Sequence, residues 1–160
     1  MKSGLRVGDA MTVRPVTTTP DMSIRDVAAI MERKHVDSVL VRESDDLMGI
    51  VTEWDFVRRA VLDGCNVFTT PIRLIMTKDL VTVSPSMDVF DAILLMKDAD
   101  IKHLPVIEDG KLIGLVTAKD ILRLQPSLFD SFVDGYDLKP QRMFRDKAAV
   151  VDIEEFERSL

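Results

Sequence analysis

Two short stretches hold the residue types best suited to grip a small polar molecule: Thr52-Glu53-Trp54-Asp55 and Thr117-Ala118-Lys119-Asp120. Each follows a glycine and two apolar residues, giving GIVTEWD at 49–55 and GLVTAKD at 114–120. An ionised carboxylate is a pure acceptor and can take two hydroxyl donors, as a ribose diol presents them. A threonine placed where a strand ends and a helix begins sits beside exposed N–H groups that suit a phosphate. Glycine inside a strand pattern lets a ligand or another backbone come close. Those three features together describe a nucleoside site. The same T-x-x-D spacing is also a capping box, in which hydroxyl and carboxylate satisfy orphan N–H groups at a helix start. A cap of that kind contributes about 1 kcal/mol. Both readings stand at this point.

The duplication extends far beyond these stretches. Sliding the chain by 65 positions aligns Met11–Arg58 with Met76–Arg123 without a gap. Identities include Met11/Met76, Thr12/Thr77, Thr17/Thr82, Pro20/Pro85, Met22/Met87, Asp26/Asp91, Met31/Met96, Val41/Val106, Gly49/Gly114 and Asp55/Asp120. Most other positions exchange one apolar residue for another, so the chain is a tandem repeat.

Each repeat must position its T-x-x-D in the same way. A short extended piece (Pro15–Thr18; Leu80–Val83) runs into a proline, which favours extended backbone before it. A helix follows, with Ser23 and Asp26 resembling a capping box and Asp88 and Asp91 echoing it. Ile24, Val27, Ala28 and Met31 form its apolar stripe, and Val89, Ala92, Ile93 and Met96 form the equivalent one. Two strands come next, Ser38–Val41 with Leu47–Val51 and His103–Ile107 with Lys111–Val116, joined by turn-prone SDD and EDG segments. A second helix starts at Thr52 or Thr117.

The unit is therefore β-α-β-β-α and the fold class is α/β (α+β). One unit is too small to bury both faces of its sheet, so two units docked through their sheets are expected to share a core. The expected division is 1–64 for the first repeat (core 11–58), 65–123 for the second (core 76–123) and 124–160 for a C-terminal extension. Residues 60–75 form the connection, with Gly64 and Pro71 as helix breakers. Leu128, Phe129, Phe132 and Val133 fit one more amphipathic helix, and AAVVDIEEFERSL fits a closing acidic one.

Composition narrows the function classes. The chain has 160 residues, 46% hydrophobic and 30% charged, with net charge −6 and a pI near 4.9. No Lys/Arg run exceeds a pair such as Arg58-Arg59, so nucleic acid is an unfavoured partner. Cys65 is the single cysteine, which excludes an internal disulfide and fits a reducing, cytoplasmic setting. Apolar runs are too short to span a membrane, and the start MKSGLRVGDAM lacks a signal-type apolar segment. No nucleophile–histidine pair, metal-ligand spacing, Walker loop or GxGxxG occurs, so an enzyme is not expected.

Several residues have ordinary explanations. His35 suits a helix end, where a cation complements the dipole. Trp54 fits a purine stack, core cover or a dimer contact. The nine methionines fill core gaps, and Met11 and Met76, at equivalent positions, should pack alike.

The motifs taken in order are the DAMT and LIMTKD openings, the two T-x-x-P strands, IKHLPVI, and the paired G-h-V-T-x-x-D endings. This pattern resembles a tandem pair of cystathionine β-synthase (CBS) domains, a Bateman module, over about residues 7–123. The resemblance implies a pseudo-twofold module with two clefts between the repeats that hold adenosyl ligands: AMP, ADP, ATP or S-adenosylmethionine. It implies one cleft built from Thr52 and Asp55 with Thr82, Ile101, Lys102 and His103. The other would use Thr117 and Asp120 with Thr17, Val36 and Ser38. It also implies a regulatory role, no required cofactor, and a homodimer associating through helical faces.

The clefts should differ. The second repeat reads Lys102-His103-Leu104-Pro105 where the first reads Asp37-Ser38-Val39-Leu40. Two like charges about 4 Å apart repel by about 4 kcal/mol at an effective dielectric of 20. Asp37 facing a cleft would therefore oppose a polyphosphate there, making the Asp55 cleft the better nucleotide site.

Overall fold

Residues 2–129 are described in the computed structural model of the chain. The first repeat runs α1 (Val7–Ala10), β1 (Thr12–Val13), β2 (Thr17–Thr18), α2 (Ile24–Lys34), β3 (Ser38–Glu43), β4 (Asp46–Thr52) and α3 (Glu53–Asp55). α3 continues without a break into a π-helical segment, Phe56–Val61. After a 3-10 turn at Ile72–Leu74 the second repeat supplies α4 (Val89–Asp98), β5 (His103–Glu108), β6 (Lys111–Thr117) and α5 (Ala118–Leu124). A further 3-10 turn, Pro126–Leu128, lies at the base of the expected extra helix. The rest of that helix and the acidic segment fall outside the described residues.

Local chemistry explains the paired helices. Ser23 Oγ accepts the Asp26 N–H at 3.1 Å and starts α2. The return bond of a capping box is replaced there by an Asp26–Arg25 ion pair. Ile24, Val27 and Met31 are buried along one stripe, and α2 stops at His35 in the left-handed region, φ 53°. Asp88 caps α4 by accepting the Phe90 N–H at 2.9 Å, and Val89, Ala92, Ile93 and Met96 are its buried stripe.

Both hairpins have the same register. Ser38 pairs with Thr52 in β3–β4, and His103 with Thr117 in β5–β6. An irregularity follows Val41 in one and Val106 in the other, at equivalent positions.

The two openings are exchanged between the repeats. One sheet has the order β2-β3-β4, and the other β1-β6-β5. β1 thus comes from the first repeat but pairs with the second, Thr12 opposite Leu115 and Val13 opposite Gly114. The symmetry mate is Thr77, which exchanges both backbone bonds with Ile50 at 2.8 and 3.0 Å. The segments just before them cross too. Val7 N–H donates to Met87 O, as Ile72 N–H does to Met22 O, both at 2.8 Å. Each repeat therefore completes its neighbour.

Burial follows the exchange. One apolar cluster joins Val83, Ile93, Met96, Leu104 and Ile121 of the second repeat to Val7 of the first. The other joins Val27, Val39 and Val51 to Ile72, Ile75 and Met76. The seam between the sheets is a third, small cluster of Leu40, Ile50 and Leu115. Instead of one shared core there are two, each closed by the other repeat's opening, with a thin junction between them. The reason is geometric: each hairpin leaves an edge strand, β6 or β4, with unpaired backbone groups that the other repeat's opening pairs with.

Candidate functional site

The capping description is met at both T-x-x-D sequences. Asp55 Oδ2 accepts the Thr52 N–H at 2.9 Å and the Thr52 hydroxyl at 3.1 Å. Asp120 Oδ2 accepts the Thr117 N–H at 3.0 Å and its hydroxyl at 2.7 Å, while Thr117 Oγ1 accepts the Asp120 N–H at 3.2 Å. The bonds to each carboxylate all end on one oxygen, Oδ2. Asp55 is buried, with Arg59 3.7 Å from its Oδ1; Asp120 is half-buried.

The glycine of each motif makes room for backbone and not for a ligand. A Cβ on Gly49 would lie 2.7 Å from the Thr77 carbonyl oxygen and 2.8 Å from Met76 Sδ. On Gly114 it would lie 2.6 Å from Met11 Sδ and 3.0 Å from the Thr12 carbonyl oxygen. Met11 and Met76 thus pack alike, each laid over the other repeat's motif glycine.

The strand pairing gathers one group of the predicted residues. Ser38 faces Thr52 and His103 faces Thr117 across their hairpins. Asp37 and Lys102 each give their carbonyl to the first N–H after a motif threonine, Glu53 N–H at 3.1 Å and Ala118 N–H at 3.0 Å. Between these twin corners, His103 Nε2–H donates to Asp37 Oδ1 at 3.0 Å, since a carboxylate can only accept. His103 is 15% exposed and Asp37 61%, so the pair lies at the mouth of the junction and not inside it.

A cavity of about 610 Å³ opens at the first of these corners. Ala28, Met31, Val36 and Phe56 give it an apolar floor, and Glu32, Asp37, Glu53 and His35 stand around them. Lys119, the residue before Asp120, reaches it from the second repeat. Of the predicted site residues only Val36 is in its wall; Asp37 and Lys119 flank Ser38 and Asp120 in sequence. Val36 holds its place because its N–H bonds to Met31 O as α2 ends.

Other predicted residues lie elsewhere. Thr82 is exposed and lines a separate recess of about 490 Å³ by the hairpin turns, with Asp45, Asp46, Lys78 and Gly110. Thr52, Asp55, Ile101, Lys102 and His103 are not in its wall. Thr17 sits in β2 opposite Leu40, half-buried, and Ile101 ends α4 by bonding Met96 O. Lys102 is exposed.

Sequence reasoning missed Phe56 and Arg59. Arg59 donates to the carbonyls of Ile75 and Met76 at 2.9 and 3.0 Å, pinning the exchanged opening. The available signal was its partner position, Leu124, which breaks the repeat's chemistry. Trp54 is 63% exposed under the Arg58 guanidinium, 6.0 Å from its ring centre. His35 does end α2. Among the described residues no group of three His, Cys, Asp or Glu is placed to hold a metal, and no helix is long and apolar enough to cross a membrane.

Comparison with known proteins agrees with this geometry. The family model for the CBS domain matches twice, at 7–62 and 72–127. An uncharacterised protein of Methanopyrus kandleri is 38% identical over 124 residues, 76% of this chain; the chain spans 63% of that protein's length. Among solved structures, a protein with CBS domains from Burkholderia ambifaria is 34% identical with a TM-score of 0.66, over 71% of this chain and 82% of its own. The CBS domain pair of protein MJ0100, in complex with 5′-methylthioadenosine and S-adenosyl-L-methionine, is 26% identical with a TM-score of 0.67, over 74% and 98%.

Proposed function

Because the chain belongs to the CBS domain family, we propose that it is a regulatory module that binds an adenosyl ligand between its repeats. The ligand is of the AMP, ADP, ATP or S-adenosylmethionine type, and its binding changes how the module contacts a partner protein or a second copy of itself. One observation carries this reading. The cavity of about 610 Å³ is walled by both repeats, Val36 and Asp37 from one and Lys119 from the other. Its size and apolar floor suit a small molecule, and an occupant would touch both halves. A ligand shifts a conformational equilibrium only through different affinities for the two arrangements, and contact across a thin seam supplies that difference. The MJ0100 pair, which holds two adenosyl compounds, supports the ligand class.

Trp54, Val57, Val61 and Leu62 are exposed along α3 and its π-helical continuation. An apolar strip of that kind supports self-association through the helical face. In this reading the role is binding, as membership of the CBS domain family supports.

A second reading has its own support: both motif carboxylates are already engaged at their helix starts, and the Thr117–Asp120 box is complete, as a scaffold or oligomerisation adaptor with empty clefts would require. Calorimetric titration with AMP, ADP, ATP, S-adenosylmethionine and NAD separates the two. Saturable binding weakened by Asp55→Asn or Asp120→Asn supports the regulatory module. Inertness to all five supports the adaptor.

A further inference from the structure

From the contact between Asp37 and His103 we infer that this module selects adenosyl ligands without phosphates, neutral or cationic, over AMP, ADP and ATP. The inference rests on the regulatory reading above and names its ligand class. His103 and Lys102 are the two members of the Asp55 set able to meet a phosphate with N–H donors, and the His103 Nε2–H is already given to Asp37 Oδ1 at 3.0 Å. A phosphate approaching His103 must displace a carboxylate and then remain beside it. On the other side, Asp37 itself lines the cavity at the first corner. One carboxylate therefore acts on both predicted sets, directly at one and through His103 at the other.

The surroundings add to this. Glu32 and Glu53 join Asp37 in the cavity wall, against Lys119 and His35. Three carboxylates stand against one lysine and one imidazole, so the wall holds more negative than positive charge. Lys102 is exposed and precedes His103 in sequence, and Lys119 brings a positive charge to the cavity. A polyphosphate brings several negative charges to a corner already occupied by carboxylates, and like charges disfavour one another. A thioether nucleoside brings none, and a sulfonium brings a positive one. The apolar floor of Met31, Val36 and Phe56 serves either equally well.

The test is calorimetric titration of the full chain with 5′-methylthioadenosine, S-adenosylmethionine, AMP and ATP, repeated on Asp37→Asn. That substitution keeps the side chain's shape and removes its charge at a largely exposed position, so the fold is retained. The expected result is binding of the two phosphate-free compounds at least about tenfold tighter than ATP, with Asp37→Asn narrowing the preference for 5′-methylthioadenosine over ATP about tenfold. Tighter binding of AMP or ATP by the parent overturns the selectivity and leaves the regulatory reading in place, as does a preference that Asp37→Asn does not narrow. Failure of all four compounds to bind overturns both.

Discussion

Asp37 and His103, 66 residues apart, meet across the junction between the repeats with Oδ1 3.0 Å from Nε2. Their positions are equivalent to Lys102 and Ser38 of the other repeat, where neither a carboxylate nor an imidazole stands. This direct polar side-chain link between the two corners is made by residues at which the repeats diverged. A duplicated fold with two like corners becomes a molecule with two unlike ones.

The strength of that link is modest. Asp37 is 61% exposed, and ion pairs of this exposure contribute about 0–1 kcal/mol. A double-mutant cycle of Asp37→Ala and His103→Ala, followed by urea unfolding, should return a coupling below about 1 kcal/mol that shrinks in high salt. A larger, salt-independent coupling would mean that the pair holds the repeats together.

Gly49→Ala should destabilise the chain more than Gly114→Ala. The new Cβ at 49 meets a backbone carbonyl at 2.7 Å, whereas at 114 the nearest atom is the sulfur of Met11, which can swing aside. Overpacking costs about 1–3 kcal/mol, and Gly49→Ala belongs at the upper end. Chemical denaturation of both variants, with Gly114→Ala repeated in a Met11→Ala background, reads the order; relief by Met11→Ala is expected.

Arg59→Leu gives position 59 the residue found at its equivalent, Leu124. It removes the donors to the Ile75 and Met76 carbonyls, a loss of about 1–2 kcal/mol for a half-exposed charged donor. Amide exchange should rise at Thr77, whose N–H pairs with Ile50 O at 2.8 Å, before it rises at β5.

The N-terminal arm should loosen in acid. Burial opposes ionisation of Asp88, but the Phe90 N–H, the Ser3 hydroxyl and the Ser3 and Gly4 N–H groups outweigh it and lower its pKa from 3.8 to about 2. A carboxyl lowered by folding stabilises the fold above its unfolded value and loses that contribution as pH falls through the folded one. Protection of the Ser3–Val7 amides should therefore fall between about pH 4 and pH 2, and Asp88→Asn should weaken it already at neutral pH. NMR exchange rates in that window check both.

Asp55→Ala and Asp120→Ala each remove the carboxylate that accepts the motif threonine's N–H and hydroxyl and should each cost about 1 kcal/mol, seen as a fall of a few degrees in Tm. Asp55→Ala should cost more, because its carboxylate is buried beside Arg59. Equal losses would show that burial adds nothing at Asp55.

What the sequence determined alone was its own repetition and the structure held between near neighbours along the chain. The offset of 65, the stripes of α2 and α4, both hairpins and both T-x-x-D caps follow from periodicity, turn chemistry and hydroxyl–carboxylate spacing. The regular helix expected after Thr52 is already an exception, since Leu62 N–H reaches back to Val57 O and Cys65 N–H to Ala60 O. Only the tertiary structure decided that β1 pairs with β6, that Gly49 lies under the backbone of Thr77, and that Asp37 rests on His103. None of these contacts is encoded at short range. Each arises because a small sheet leaves an open end, and the surface that closes it best belongs to the other copy of the same sequence.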